Sequence, residues 1–103
     1  MQLRGRQKRY LRSRANRMRP LFLIGKQGLN QQWLHEIMNV LNRRELVKIR
    51  VLANSPVSVA EARQIISTKT PIQVVQKIGK TLLLFKVSDQ AKHRKLSQLV
   101  QKI

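Results

Sequence analysis

The fold of this chain is decided by the stretch LFLIGKQGL, residues 21–29. Its first four residues are a continuous apolar run, which is typical of a short buried strand. Gly25 and Gly28 follow directly, and glycine accepts the tight backbone that a turn from a strand into a helix requires. Asn30 is a good N-cap, and apolar residues at helical spacing after it predict a helix over residues 31–44.

The segments on either side of this stretch extend the alternation of helices and strands. Helical spacing of apolar residues predicts a first helix over residues 4–18, and strict alternation predicts a strand over residues 46–52. Ser58 and Glu61 form a capping box that opens a third helix. Two further strands, 72–78 and 81–87, flank Gly79-Lys80, which suits a type II′ hairpin. Ser88-Asp89 is the expected N-cap of a last helix.

This order of elements predicts an α/β fold, α-β-α-β-α-β-β with a C-terminal helix. Strands that alternate with helices are joined by crossovers, and right-handed crossovers place the two central helices on one face. The hairpin must be antiparallel, so we expect a four-stranded mixed sheet with helices packed on it. We expect one domain over residues 1–87 and a helical extension over residues 88–103.

The charge of the chain indicates its partner. Its 103 residues carry 22 Lys and Arg against 4 Asp and Glu, a formal net charge of +18. Because these charges repel one another, a polyanion is the expected partner, with nucleic acid first and an anionic membrane surface second. The chain has no cysteine, and no apolar run approaches the roughly 20 residues of a membrane span. We expect a cytoplasmic protein.

Two basic segments are the candidate binding site. A G-x-x-G loop that opens a helix presents backbone N–H groups, and KH modules clamp nucleotides with such a loop. Lys26 is expected to meet a phosphate, and Gln27 a sugar, a phosphate or only water. The first helix is basic and free of acids, and we expect it to form one continuous surface with the loop. The residues expected to contact RNA are Gly25, Lys26, Gln27, Gly28, Arg4, Arg6, Lys8, Arg9, Tyr10, Arg12, Arg17 and Arg19.

Four motifs in register then resemble a known family. They are RMRP at residues 17–20, IGKQGL at 24–29, RELVKI at 44–49 and VQKIGKTL at 75–82. Over residues 3–87 the chain resembles the CRM domain family (chloroplast RNA splicing and ribosome maturation), and within it the small YhbY-like bacterial RNA-binding proteins. The resemblance implies RNA binding through Gly25–Gly28 and the adjacent basic surface. It also implies association with precursors of the large ribosomal subunit, since bacterial members behave in that way.

Other functions find little support in the residues. His35-Glu36 begins like a zinc-protease motif, but Asn39 stands where the second histidine belongs. No nucleophile–base pair is evident, so we expect no enzyme activity, metal, cofactor or small-molecule substrate. We therefore expect a monomer that binds ribosomal RNA and assists assembly of the large subunit. A permanent structural protein of the ribosome or nucleoid is the alternative, and a peripheral membrane binder is the least supported reading.

Overall fold

A computed structural model describes the whole chain, from Met1 to Ile103. The order of elements is the predicted one, with a short 3₁₀ turn before the last helix. The elements are α1 Gly5–Ala15, β1 Phe22–Ile24, α2 Gln31–Arg44, β2 Leu46–Val51, α3 Val59–Lys69, β3 Gln73–Ile78, β4 Thr81–Phe85 and α4 Lys95–Gln101. None of these helices has the length and apolarity needed to cross a membrane.

The four strands form one mixed sheet in the order β1-β2-β4-β3. β1 and β2 are parallel, whereas β4 runs antiparallel to both β2 and β3. In the hairpin between β3 and β4, Gly79 has a φ of +55° and Lys80 has a negative φ, which fits the expected type II′ turn. The predicted mixed sheet is therefore confirmed.

Each face of the sheet carries one hydrophobic cluster. Ile37, Leu41 and Ile66 pack from α2 and α3 onto one face, as right-handed crossovers predict. On the opposite face, Leu11 of α1 and Val100 of α4 pack over the strand ends that hold Leu46 and Phe85. The result is three layers, with α1 and α4 on the side that α2 and α3 leave open.

The first helix is shorter than predicted, because the chain leaves it in a turn at Asn16 and Arg17. Its buried face runs at intervals of four residues and includes one polar side chain, Gln7. The Gln7 amide donates to the carbonyl of Val100 over 3.0 Å, and its oxygen accepts from the backbone of Arg4 over 2.7 Å. Gln7 therefore joins α1 to α4 with its hydrogen bonds satisfied.

Two predicted helix caps are confirmed. Asn30 Oδ1 accepts from the backbone N–H of Trp33 over 2.8 Å, and this bond fixes the start of α2. The hydroxyl of Ser58 accepts from the Glu61 N–H, and the Glu61 carboxylate accepts from the Ser58 N–H. The backbone N–H of Ser58, and after it the Ser58 side chain, stabilise the Glu61 carboxylate and hold its pKa below its ordinary value.

The predicted cap of the last helix was wrong. α4 begins at Lys95, and the hydroxyl of Ser88 accepts instead from the N–H of Gln90 in a local turn. The N–H of Ser97, in the first turn of α4, donates 2.9 Å to the buried carboxylate of Glu45, which also accepts from Ser88. A distant carboxylate thus replaces the local cap. The domain division at residue 87 stays a prediction, although α4 shares the second hydrophobic cluster with α1.

Candidate nucleic-acid interface

The G-x-x-G loop joins the carboxyl end of β1 to the amino end of α2. It closes through a hydrogen bond of 3.0 Å from the Gly28 N–H to the Gly25 carbonyl. Gly28 is buried and has a φ of +65°, and a Cβ there would lie 3.0 Å from Cγ of Pro56. Gly25 has ordinary backbone angles and more room. Gly28 is therefore required by the turn itself, whereas Lys26 and Gln27 are exposed at its tip.

A groove of about 280 Å³ opens beside this loop. Its floor and walls come from β1, the loop and the first turns of α2. The lining residues are Leu23, Gly25, Lys26, Gln27, Gly28, Asn30, Gln32, Trp33 and Glu36. The sequence predicted only the loop as part of this site. The α2 residues were missed because their position beside the loop depends on the direction in which the helix leaves the turn. Gln32 and Glu36 are four residues apart, which puts both on one face of the helix. This spacing was the signal in the sequence that could have placed them side by side.

Trp33 forms one wall of the groove and also packs against the core. Its indole N–H donates 3.0 Å to the carbonyl of Leu23, and its ring meets Phe22 edge-on at 5.9 Å between centroids. These two contacts fix the ring in place. Trp33 also packs against the hydrophobic cluster beneath α2 and α3, so it flanks the core.

The basic residues of α1 and the turn after it have no acidic partner. The one ion pair of the protein joins Lys86 to Asp89, far from this surface in the chain. Tyr10 is half-buried, packs on the second cluster, and accepts a long hydrogen bond of 3.4 Å from Arg14. Arg6, Arg9, Arg14, Arg17 and Arg19 are exposed, while Lys8 and Arg12 are half-buried. Arg4 is also exposed, and its guanidinium donates to the carbonyl of Ile103.

Other basic residues are engaged within the protein. Lys48 Nζ donates 3.1 Å to the carbonyl of Met18, which ties β2 to the chain leaving α1. Lys86 is buried and contacts Asn42, Val87 and the carboxylate of Asp89. The Lys86 ammonium holds the pKa of Asp89 below its ordinary value. These two lysines serve the fold, whereas Arg50, Lys77 and Lys80 stay exposed.

The loop and α1 do not form one compact surface. α1 lies on the sheet face opposite α2 and covers the strand ends near Leu46, while the loop follows the other end of the sheet. The amino terminus of the chain contacts Gln73 on β3, at the sheet edge opposite β1. Across three strand spacings and about six residues, Gln73 and the chain's amino terminus lie roughly 25 Å from the loop. Only the stretch from Arg17 through β1 connects the two regions.

An uncovered row of side chains lies on the α1 side of the sheet near the loop. The register aligns Leu23, Arg50, Thr81 and Ile78 across the four strands. Leu23 and Ile78 are 52% and 60% exposed, so α1 does not reach them. An RNA that contacted both the loop and α1 would cross this row or follow the edge of β1.

The acidic and histidine residues are scattered. No group of three or more His, Asp or Glu side chains is positioned to hold a metal ion. His35 and Glu36 are both exposed on α2, and no second histidine lies near them in the chain. The chemistry available at the site is hydrogen bonding and electrostatic attraction toward an anionic ligand.

These features define a small basic α/β domain of the kind that binds RNA. The model of the CRS1/YhbY (CRM) domain family matches residues 3–86, and the chain belongs to this family. A Bacillus subtilis protein named "Probable RNA-binding protein YqeI" is 37% identical over 94 residues, covering 91% of this chain and 98% of its own. A Haemophilus influenzae "RNA-binding protein" is 34% identical over 91 residues, covering 84% and 88%.

A solved structure shares the fold. The solution structure of SAV1595 from Staphylococcus aureus, titled "a putative RNA binding protein", superposes with a TM-score of 0.71 at 37% identity. The match covers 91% of this chain and 98% of that one. The α/β fold with a four-stranded mixed sheet is therefore shared with a relative, and the resemblance seen in the four sequence motifs is confirmed.

Proposed function

We propose that this protein binds precursor ribosomal RNA of the large subunit in the cytoplasm and assists assembly of that subunit. Phosphates would be held at two places, the tip of the G-x-x-G loop and the exposed face of α1. The described relatives are RNA-binding proteins, which supports RNA as the partner. The link to the large subunit rests on what the CRM family resemblance implies.

The observation that carries the proposal is the distribution of unpaired cations. The net charge is +18, yet only one ion pair forms, between Lys86 and Asp89 just after β4. Basic side chains on α1 and the loop therefore form no ion pair within the protein. Phosphates would relieve this repulsion and release counterions, which is the main source of affinity for nucleic acids.

The loop is tested by charge reversal at its exposed tip rather than at its glycines. Lys26→Glu with Gln27→Glu leaves the buried turn at Gly28 intact, so the fold should be unchanged. Lys69→Glu with Gln64→Glu is the matched control, because it makes the same chemical change on exposed positions of α3. We expect at least about a tenfold loss of RNA affinity in the loop variant only. An equal loss in both variants would remove the loop from the site.

The role in assembly is tested by sedimentation of cell extracts. An assembly factor should travel with precursor particles of the large subunit and be absent from mature ribosomes. One copy on every mature ribosome would decide for a permanent structural protein instead. Crosslinking in cells, followed by sequencing of the attached RNA, would identify the RNA segment that is bound.

A further inference from the structure

Three of the four acidic residues of this chain have a structural task. Glu45 is buried and accepts hydrogen bonds from Ser88 and Ser97. Glu61 caps α3, and Asp89 pairs with Lys86. The fourth, Glu36, is exposed on α2 and lines the groove beside the G-x-x-G loop. Its position needs a different explanation, because it is the one acid placed next to a loop that otherwise attracts phosphates.

The surroundings of Glu36 keep its carboxylate in the groove. The side-chain amide of Gln32, one turn earlier on α2, donates 3.2 Å to Glu36 Oε1. Gln32 and Trp33 line the same groove, and Trp33 is fixed by its hydrogen bond to the Leu23 carbonyl of β1. A carboxylate repels phosphate, so it weakens contact with an RNA backbone. It strengthens contact with a group that presents N–H donors, and in RNA those groups are the edges of the bases.

We propose that this groove binds an unpaired guanine base and that Glu36 accepts hydrogen bonds from its N1–H and N2–H groups. This site rests on the proposed function, since the phosphates next to the base would be held by the loop tip. Guanine is the base whose Watson–Crick edge presents two adjacent N–H donors, which match the two oxygens of a carboxylate. Adenine, cytosine and uracil each present one such donor on that edge.

The dimensions of the groove agree with a single base. Its volume of about 280 Å³ lies just below the range of about 300–1,000 Å³ seen for pockets that bind drug-sized molecules, as expected for a smaller ligand. The indole of Trp33 provides contact area for a flat ring, and Gln32 donates a hydrogen bond to the carboxylate. Base edges are accessible in this way only in single-stranded loops, bulges and ends. The expected ligand is therefore an unpaired guanosine within structured RNA.

The test compares heptameric RNAs that differ at one base. Fluorescein-labelled heptauridine, and the same RNA with a central guanine, adenine or cytosine, are titrated with the full-length protein and with Glu36→Gln. We expect the wild-type protein to bind the guanine RNA at least about fivefold more tightly than the others. Glu36→Gln should lose this preference while binding the other three RNAs equally or more tightly. Because Trp33 is the only tryptophan, its fluorescence should change most with the guanine RNA.

A charge-matched control separates base recognition from simple repulsion. Glu36→Gln combined with Asn39→Glu keeps the net charge but moves the carboxylate out of the groove to another exposed position on α2. We expect this double variant to lack the guanine preference as well. Equal binding of all four RNAs by the wild type, or restoration of the preference in the double variant, would overturn the guanine site alone. If none of the four RNAs showed salt-dependent binding, the phosphate sites and the guanine site would be overturned together.

Discussion

Two regions of this molecule use charge in opposite ways. At the junction of β2, β4 and α4, Glu45 and Lys86 are buried and fully hydrogen-bonded. On α1 and the G-x-x-G loop, cations point outward without acidic partners. Hydrogen-bonded, buried charges hold the fold, while unpaired, exposed charges are available to a ligand. Residue type alone does not separate the two groups, so variants at single sites are needed to tell structural contacts from binding contacts.

The largest effect on stability is expected at Glu45. Glu45→Ala leaves the buried N–H groups of Ser88 and Ser97 without an acceptor, and the expected loss is about 3 kcal/mol. Urea denaturation followed by circular dichroism would measure it. Glu36→Ala, an exposed acid on α2, is the control and should change stability by less than about 0.5 kcal/mol. Equal midpoints for the two variants would contradict a structural role for Glu45.

A smaller effect is expected at the loop glycines. Gly28→Ala introduces a side chain at a φ of +65° and 3.0 Å from Pro56, which should cost about 1–3 kcal/mol. Gly25→Ala should be nearly neutral, because its new methyl group would lie 3.9 Å from its nearest neighbours. Thermal unfolding of both variants measures the difference. Similar losses at the two positions would show that the turn is not held as described.

The next largest effect on stability is expected from a pair of basic residues on β2. Lys48 and Arg50 lie two residues apart on the same strand face, but only Lys48 bonds to the carbonyl of Met18. Lys48→Met should therefore cost about 1 kcal/mol, while Arg50→Met should not alter stability measurably. Urea denaturation measures the two stabilities. If Arg50→Met were less stable than Lys48→Met, the distinction between engaged and free cations would fail on this strand.

The smallest effect is a dependence of stability on pH through Glu61. Its pKa is lowered in the folded protein by hydrogen bonds from Ser58. A lowered pKa contributes stability above the ordinary value of 4.5, and this contribution is lost as the pH falls through the folded value. Wild type and Glu61→Gln should differ in melting temperature at pH 6 and converge at lower pH. A difference that grows toward acid would contradict the capping box.

Much of the fold follows from the sequence, because its signals are local. The caps at Asn30 and Ser58 and the glycine of the hairpin each determine an adjacent backbone segment. The start of α4 was missed because its capping carboxylate belongs to Glu45, 52 residues away. Gln7 was overlooked for a similar reason, since a buried glutamine makes sense only once α4 supplies an acceptor.

The candidate site was predictable only in its parts. The sequence identifies the loop and the basic helix, but their placing depends on which sheet face α1 covers. That choice is made by packing of Leu11 and Ala15 in the cluster shared with α4 and the sheet, which local patterns do not reveal. The expected single surface thus becomes two regions, and the groove with Glu36 lies at one of them.

The central claim, that unpaired cations of α1 and the loop bind phosphates, is tested most directly by the salt dependence of RNA affinity. With about six phosphates engaged, log affinity should fall against log salt with a slope of about −4 to −5. Arg6→Glu with Arg9→Glu should make the slope shallower by about 1.4, and Arg63→Glu with Lys69→Glu on α3 should leave it unchanged. A slope near zero, or the same change in both double variants, would contradict the claim.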